Sequence, residues 1–461
     1  MTLVRILGCV AISISCLYWI INDSTQQLPK CPLLPGELWQ DIMGYLSKND
    51  LKALATAHRL IRFHAIPLLY RKVTIHTVQP SAYEKAKGLV EAPYILKWIN
   101  ALVFLAPLDS PVTRNTEVFN NLVTSFSKMP NLRKLELERI HLNLRAEMDI
   151  LQTPLMSLAC NQCQFSGEQL TPALARHSSV TMLQLSLEEG PDFLDSPSTF
   201  LNNFLDVETL DLIVLRRDYA HFPIFPSLTS LVIRSPIGLS TLRIILRQSP
   251  HITRLRCIQQ DLKDHNGTPT KIPRLQYIEA PTLAVIQLLE SRLLKSIVLL
   301  TRRGYGENKW DAINRLLSAI KRGPAQQISS LDLTVWFENQ EQARELLVKL
   351  SDAVPNLSTF TLRIDPFSIK AILASPLYNG RARLLKLESL TVSIVLIGNE
   401  HSQPQVIPED IVQPFAREFL ETVVRPICPS LQVVRVFPWC NSFIKTVFEG
   451  EGTMWKFERR D

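Results

Sequence analysis

The sequence predicts an α/β fold in which a short helical segment precedes a long array of alternating strands and helices. Apolar residues recur in the pattern Φ-x-x-Φ-x-Φ, where Φ is an apolar residue, from Ile99 to Val436. Stretches with helical periodicity separate these units, as in repeat proteins. At 461 residues, the chain is also too long for one compact core. An array with strands on its concave face and helices on its convex face accommodates this length.

The units of the array vary in length. Their middle Φ residues are 19 to 44 residues apart in the chain. These residues are Leu102, Leu135, Leu158, Leu183, Leu210, Leu231, Leu255, Ile278, Ile297, Leu331, Phe360, Leu390 and Val434. In six units proline stands two residues before the first Φ, where it ends the preceding helix. The arrangement resembles an irregular leucine-rich-repeat solenoid without the asparagine ladder of regular members, and we expect the periodic apolar residues to form its core.

Ahead of the array, residues 34–73 have the periodicity of three short helices. The first helix has one apolar face, which carries Leu38, Ile42, Tyr45 and Leu46. Asn49 and Asp50 are suited to cap the second helix. The third apolar run ends at Pro67, because proline disrupts a helix interior. Three such helices bury too little surface to be stable alone and must pack against something else.

The same segment resembles an F-box in the order and spacing of its residues. The resemblance rests on Leu34-Pro35, Glu37-Leu38, Ile42, Tyr45-Leu46 and Asp50-Leu51, and its ending Pro67–Arg71 with Val73 looks like that of fungal F-box proteins. It implies docking to the Skp1 adaptor of cullin–RING ubiquitin ligases. The docking residues it implies are Leu34, Pro35, Leu38, Ile42, Leu46 and Leu51. The alternative is an ordinary helical hairpin that caps a repeat domain.

These patterns divide the chain into five parts. They are an apolar leader at residues 1–31, the F-box at 32–75, a polar linker with helical character at 76–98, the leucine-rich-repeat solenoid at 99–437, and a C-terminal cap at 438–461.

The leader leaves three interpretations open. Residues 6–21 carry no charge and follow Arg5. This stretch is long for the apolar region of a signal peptide and slightly short for a membrane-spanning helix. It is a membrane anchor, a signal sequence, or an extension whose start is doubtful.

Composition argues against a nucleic-acid partner and against a disulfide or zinc framework. The formal charge of +7 comes from scattered basic residues rather than a basic stripe with interleaved aromatics. Cys160 and Cys163 form a C-x-x-C pair, but no second pair follows at zinc spacing. We expect buried free thiols in a reducing compartment.

No catalytic motif is present. The chain lacks the phosphate-binding, dinucleotide-binding, zinc-protease and nucleophile-elbow sequences, and its nine histidines are dispersed. We therefore expect no catalytic residue, no cofactor and no metal.

Together, these observations favour a non-catalytic, substrate-recognition subunit of a Skp1–cullin–F-box ligase, located in the cytoplasm or nucleus. Its partners would be Skp1, cullin through Skp1, and an unknown target protein. The second interpretation is a membrane-anchored or secreted leucine-rich-repeat recognition protein without a ligase role, attached through residues 6–21.

For the target, the sequence indicates arginines on the strands. Residues that flank the middle Φ point away from the core, so Arg254 and Arg256 lie outward, with Arg234 on the preceding unit. We expect these three guanidinium groups to lie close together, with Arg363 farther along. Such a patch recognises an acidic or phosphorylated segment. The alternative is that these arginines only keep an exposed surface soluble.

Overall fold

The structure is a computed structural model, and its described residues form two compact units. It describes residues 36–57, 59–77, 79, 81–105, 112–165, 179–187, 203–214, 224–234, 239–257, 272–289, 293–300, 310–323, 327–335, 340–364, 384, 386–395, 430–439, 445–449 and 456–460. The first unit includes the described residues up to Gln184 with Asn203 and Phe204. The second includes residues 185–187 and the described residues from Leu205 onward.

The first unit begins with three helices, as the sequence predicts. They are α1 (Gly36–Gly44), α2 (Lys48–Ala57) and α3 (Arg59–Tyr70). The start of α2 differs from the prediction, because Ser47 rather than Asn49 or Asp50 caps it. The Asp50 backbone N–H donates to Ser47 Oγ at 3.3 Å, and the Ser47 backbone N–H donates to Asp50 Oδ2 at 3.3 Å. This reciprocal pair is a capping box with Asp50 in the third helical position.

Helix α3 does not end at Pro67 as predicted but continues to Tyr70. Proline removes one backbone hydrogen bond there, since it has no N–H to donate. The last turn is held instead by packing, because Leu68 and Leu69 lie against the buried core of the three helices. Tertiary contacts thus override the local preference of proline.

Residues 76–98 have the predicted helical character, and their helices pack into the strand array. Strand β1 (Lys72–His76) pairs in parallel with β2 (Ala101–Leu105). Helices α4 (Ala82–Glu91) and α5 (Pro93–Leu96) lie between them. Their buried residues are Ala82, Ala86, Leu89, Ile95 and Leu96. The strand array therefore begins one strand–helix repeat earlier than predicted.

The rest of the first unit repeats this strand–helix alternation. Strands β3 (Lys134–Glu138) and β4 (Ser157–Asn161) continue the parallel sheet from β2. Its further helices are α6 (Val112–Val123), a 3-10 turn (Phe126–Lys128) and α7 (Leu144–Gln152). Strand β5 (Met182–Leu187) follows. The ring of Phe119 on α6 packs edge-on against Phe104 of β2, with 5.3 Å between ring centroids, so this helix lies on the core side of the sheet.

The second unit contains a nine-stranded parallel sheet extended by two antiparallel strands. The parallel strands are β6 (Thr209–Val214), β7 (Ser230–Ile233), β8 (Arg254–Cys257), β9 (Tyr277–Ala280), β10 (Ser296–Leu299), β11 (Ser330–Thr334), β12 (Thr359–Ile364), β13 (Ser389–Val395) and β14 (Val433–Trp439). Strands β15 (Lys445–Glu449) and β16 (Lys456–Arg460) are antiparallel. The helices are α8 (Leu239–Gln248), α9 (Thr282–Leu288), α10 (Trp310–Arg322) and α11 (Gln340–Ala353). The predicted α/β fold with a strand array is confirmed.

Burial follows the apolar pattern. From the unit that begins at Ile99 to the unit that begins at Leu357, no Φ side chain is more than 2% exposed. Complete burial of such a side chain stabilises the fold by about 1.5–3 kcal/mol. The prediction that the periodic residues form the core is therefore confirmed for these units.

The repeated prolines have a specific local role. In five described units, the N–H of the first Φ residue donates to the carbonyl three residues earlier, which closes a β-turn around the proline. The donors are Leu132, Leu228, Ile252, Leu275 and Leu357. Proline occupies the second position of each turn, where its fixed φ is favourable and its missing N–H is not needed. The turn sets the direction in which the following strand starts.

A backbone ladder connects successive units at the start of each strand. One carbonyl of a unit accepts hydrogen bonds from two consecutive N–H groups of the next unit, at 2.8–3.0 Å. The Thr229 carbonyl, for example, accepts from Thr253 and Arg254, and the Thr253 carbonyl accepts from Gln276 and Tyr277. The other acceptor residues of such pairs are Arg71, Asn100, Arg133, Met156, Glu208, Gln276, Lys295, Ser329 and Ser358. Main-chain groups thus align the units in the absence of an asparagine ladder.

We predict that Gly88→Ala stabilises the protein. Gly88 lies inside α4 and is exposed, and a Cβ placed there meets nothing within 4 Å. Alanine restricts the unfolded chain and favours a helix, so the free energy of unfolding should rise by about 0.5–1 kcal/mol. Urea denaturation followed by circular dichroism measures the change. Gly44→Ala, which is equally free of steric conflict but at the end of α1, should give a smaller gain. A lower denaturation midpoint for Gly88→Ala would contradict the prediction.

Candidate functional site

The three N-terminal helices enclose a small core of their own. Met43 of α1, Leu51 of α2 and Ala65 of α3 are buried together. Partly buried apolar residues pack around them, namely Leu46, Leu54, Ala55, Leu68 and Leu69. This core is much smaller than that of the strand array, so few apolar residues of the motif are needed to form it.

Even so, among its side chains whose burial the structure describes, the motif exposes three large apolar ones. Leu38 is 46% exposed, Tyr45 is 75% exposed and Phe63 is 69% exposed. Single exposed apolar residues are common, but several on so short a motif mark a surface that another protein can cover. We call Leu38, Tyr45 and Phe63 the exposed apolar set.

The structure distributes the predicted docking residues between the surface and the core. Leu38 is exposed and Ile42 is half-buried. Leu46 and Leu51 pack in the core of the motif, so they hold its helices together. Leu34 and Pro35 lie outside the described residues. The sequence does not distinguish Phe63 as a surface residue, because periodicity shows that a residue lies on an apolar face without showing whether a neighbour covers it.

A second candidate surface lies on the second unit. Its strands carry outward side chains that alternate with the buried Φ residues. We call the outward side chains of β6–β12, with Arg234 directly after β7, the strand face. Its charged and aromatic members are Asp211, Arg234, Arg254, Arg256, Tyr277, Glu279, Asp332 and Arg363.

Three of the four predicted arginines are paired with carboxylates on an adjacent strand. Arg234 donates from Nε and Nη2 to both oxygens of Asp211, with a shortest distance of 2.6 Å. Arg256 Nε lies 2.9 Å from Glu279 Oε1. Arg363 Nη2 lies 2.7 Å from Asp332 Oδ2. These contacts correct the picture of a shared patch of free guanidinium groups, because each arginine has its own anion.

Four side chains on β8 and β9 form one cluster around Glu279 and Tyr277. The Tyr277 hydroxyl donates to Glu279 Oε2 at 3.0 Å, while Arg256 occupies the other carboxylate oxygen. The guanidinium carbon of Arg254 lies 5.5 Å from the centroid of the Tyr277 ring, a cation–π contact. The orientation of the ring is thus fixed by its hydroxyl and by the cation above it.

The electrostatics of the strand face follow from this packing. Burial and then the charge of Glu279 raise the pKa of Tyr277 to about 12. Burial also raises the pKa of Asp332, an effect that Arg363 opposes and Glu279 strengthens. Asp332 Oδ1 is buried without a hydrogen-bond partner among the described residues. Asp332 therefore depends on Arg363 for charge compensation.

The C-x-x-C pair is buried. Cys160 and Cys163 are free thiols, and Cys163 Sγ donates to the carbonyls of Leu137 and Asn161, each at 3.6 Å. The hydrogen bond with Cys163, then burial, raises the pKa of the Cys160 thiol. A buried thiol with a raised pKa is a poor nucleophile and a poor metal ligand. Within the described ranges, no group of three or more His, Cys, Asp or Glu side chains could hold a metal ion.

The helices that the structure describes include none with the length and apolar character needed to cross a membrane. Residues 6–21, which the sequence marks as a candidate anchor, lie outside the described ranges.

Comparison with known proteins identifies no family. No family model and no curated protein matches the chain. Solved structures do match, among them the crystal structure of a TLR13–ssRNA13 complex, with 15% sequence identity and a TM-score of 0.32. That match covers 77% of this chain and 45% of the other, so this chain spans less than half the length of its structural neighbour. A TM-score of 0.32 assigns neither a fold nor a function to this chain.

We predict that Arg256→Glu destabilises the second unit and that Arg254→Glu does not. A glutamate at position 256 faces Glu279, whose second oxygen is already held by Tyr277, so two like charges meet across adjacent strands. The Arg256 side chain is 44% exposed and the Glu279 side chain 14% exposed. Because the arginine is partly in solvent, the expected loss is about 1 kcal/mol in the free energy of unfolding. Urea denaturation of the two matched variants measures the difference. Equal midpoints would show that the Arg256–Glu279 pair contributes nothing.

We also predict that Tyr277 is among the last tyrosines to ionise. Its neutral form stabilises the fold at every pH below about 10, where a tyrosine of the unfolded chain titrates, and this stabilisation is lost as the pH rises through about 12. Ultraviolet titration of the parent and of Tyr277→Phe gives the difference curve. Its midpoint should lie near pH 12; a midpoint near pH 10 contradicts the burial and hydrogen bond that raise this pKa.

Proposed function

We propose that this protein is the substrate-recognition subunit of a Skp1–cullin–F-box ubiquitin ligase. The observation that carries the proposal is the exposed apolar set, which lies on a three-helix motif whose sequence resembles an F-box. Helices α1–α3 would bind Skp1, and the repeats would hold the target protein. Catalysis would belong to the partners, while this chain positions the target.

The small core of the motif supports this role. Met43, Leu51 and Ala65 provide limited burial, whereas Leu38, Tyr45 and Phe63 remain exposed. Covering these three side chains with a partner removes apolar area from water at no cost to the folded motif. Aromatic residues are also enriched where binding energy concentrates in protein interfaces. An adaptor of matching apolar surface is therefore a fitting partner.

The connection between motif and array also supports it. One residue, Arg71, separates α3 from β1, and α3 contacts both β1 and α5. The motif thus packs on the rest of the first unit without an intervening linker. For a subunit that positions a target relative to an adaptor, a short and packed connection limits relative motion.

For the remaining array, we infer a leucine-rich-repeat solenoid. Support comes from the parallel strands, the helices between them, and the buried Φ-x-x-Φ-x-Φ residues. Solenoids of this kind present a strand surface for protein recognition. In the proposed function, the strand face of the second unit serves that purpose.

The proposal predicts that Skp1 binding depends on two exposed apolar residues, Leu38 in α1 and Tyr45 directly after it. The double change Leu38→Ala and Tyr45→Ala removes two exposed side chains and leaves Met43 and its core in place. We expect the dissociation constant for Skp1 to rise by roughly tenfold to a hundredfold, since burial of each large apolar side chain contributes about 1.5–3 kcal/mol when complete. Biolayer interferometry with purified Skp1 and the full chain measures this change.

The matched control is the double change Leu205→Ala and Ile224→Ala, which removes two exposed apolar side chains from the second unit. It should bind Skp1 like the parent protein. The proposal fails if the parent does not bind Skp1, or if the Leu38→Ala, Tyr45→Ala variant is folded by circular dichroism and binds it with parental affinity.

A further inference from the structure

One arginine of the strand face is not paired with a carboxylate among the described residues. Arg234, Arg256 and Arg363 each contact an aspartate or glutamate. Arg254 is exposed, and its contact in this part of the chain is with the ring of Tyr277, at 5.5 Å from the centroid. The face thus has four arginines against three carboxylates, and the surplus positive charge is at Arg254.

Short side chains border this position. In the parallel register, Arg254 is aligned with Ser230 on one side and Tyr277 on the other, and Tyr277 is aligned with Ser296. Neighbouring strands are about 4.8 Å apart, so the arginine and the tyrosine are flanked by two small hydroxyl side chains. An extended segment that crosses these strands can reach both the guanidinium group and the ring.

The two side chains are also held in place before any partner arrives. Glu279 Oε2 accepts a hydrogen bond from the Tyr277 hydroxyl at 3.0 Å, and Arg256 Nε lies 2.9 Å from Glu279 Oε1. The Tyr277 ring in turn supports the Arg254 guanidinium. Groups fixed in this way lose little conformational entropy on binding.

We propose that Arg254 and Tyr277 bind an acidic segment of the target protein, with an Asp or Glu carboxylate paired to the Arg254 guanidinium. This inference rests on the proposed function, in which the repeats hold the target. The planar guanidinium group donates two parallel hydrogen bonds to the two oxygens of one carboxylate. The Tyr277 ring provides the adjoining apolar contact, and tyrosine and arginine are both enriched at interface positions that dominate affinity.

A carboxylate fits this position better than a phosphate group. A phosphorylated side chain carries close to two negative charges and is recognised by clusters of arginines. Here Arg256 and Arg234 are already paired with Glu279 and Asp211, whose negative charges repel a phosphate dianion. One available guanidinium group matches one carboxylate.

A peptide array with the full chain tests the proposal. Short peptides of random sequence are each made in three forms: with their Asp and Glu residues, with Asn and Gln in their place, and with phosphoserine in their place. The parent protein should prefer the carboxylate form, with a loss of about tenfold in affinity for the amide form. Arg254→Gln should lose this preference. Arg247→Gln, which changes an exposed arginine on helix α8, is the matched control and should retain it.

Any of four results overturns the proposal: no peptide binds, the amide forms bind equally, binding requires phosphoserine, or folded Arg254→Gln keeps the parental preference. Skp1 binding is measured on the same preparations. If the parent protein shows no acidic preference but binds Skp1, only the Arg254 site is refuted. Failure to bind Skp1, with a preference for acidic peptides that depends on Arg254, refutes only the ligase role.

Discussion

The arrangement of each strand–helix repeat depends on the backbone ladder at the start of its strand. One carbonyl accepts hydrogen bonds from two consecutive N–H groups of the next unit, as Thr253 accepts from Gln276 and Tyr277. The ladder fixes where each strand begins whatever the length of chain between units, which varies from 19 to 44 residues between middle Φ positions. This matters because a slip of one residue would turn every Φ side chain toward solvent. Differences in length are therefore absorbed outside the strands.

The charge arrangement of the strand face follows from that fixed register. Asp211, Val232, Arg256 and Glu279 occupy equivalent positions on β6–β9 and form one row across the strands. Arg256 and Glu279 meet as direct neighbours within this row, whereas Arg254 stands in the adjacent row beside Tyr277. Because the arginines of these ion pairs are partly in solvent, each pair contributes about 1 kcal/mol or less to stability. Their larger effect is on the charge of the strand face, since they neutralise three arginines and leave the charge of Arg254 available.

Part of this arrangement was predictable from the sequence. Alignment of Leu255 with Ile278 places Arg256 beside Glu279, because both charged residues directly follow the middle Φ. Arg234 was not predictable in this way: it lies beyond the last Φ of its unit, and its long side chain reaches Asp211 across the strands. The cap of α2 and the continuation of α3 past Pro67 were missed for related reasons. A reciprocal side-chain pair decides the first, and packing of Leu68 and Leu69 decides the second.

The helical motif shows the same limit of sequence periodicity. Leu38, Ile42 and Leu46 share a predicted apolar face, yet Leu38 is exposed while Leu46 packs beside Met43. Periodicity shows which residues prefer to leave water. The placement of α2 and α3 determines which of these residues are buried by the chain itself. The side chains left outside are consequently those that remain available to a second protein. Because α3 passes into β1 through Arg71 alone, a protein bound there is held close to the first strand of the array.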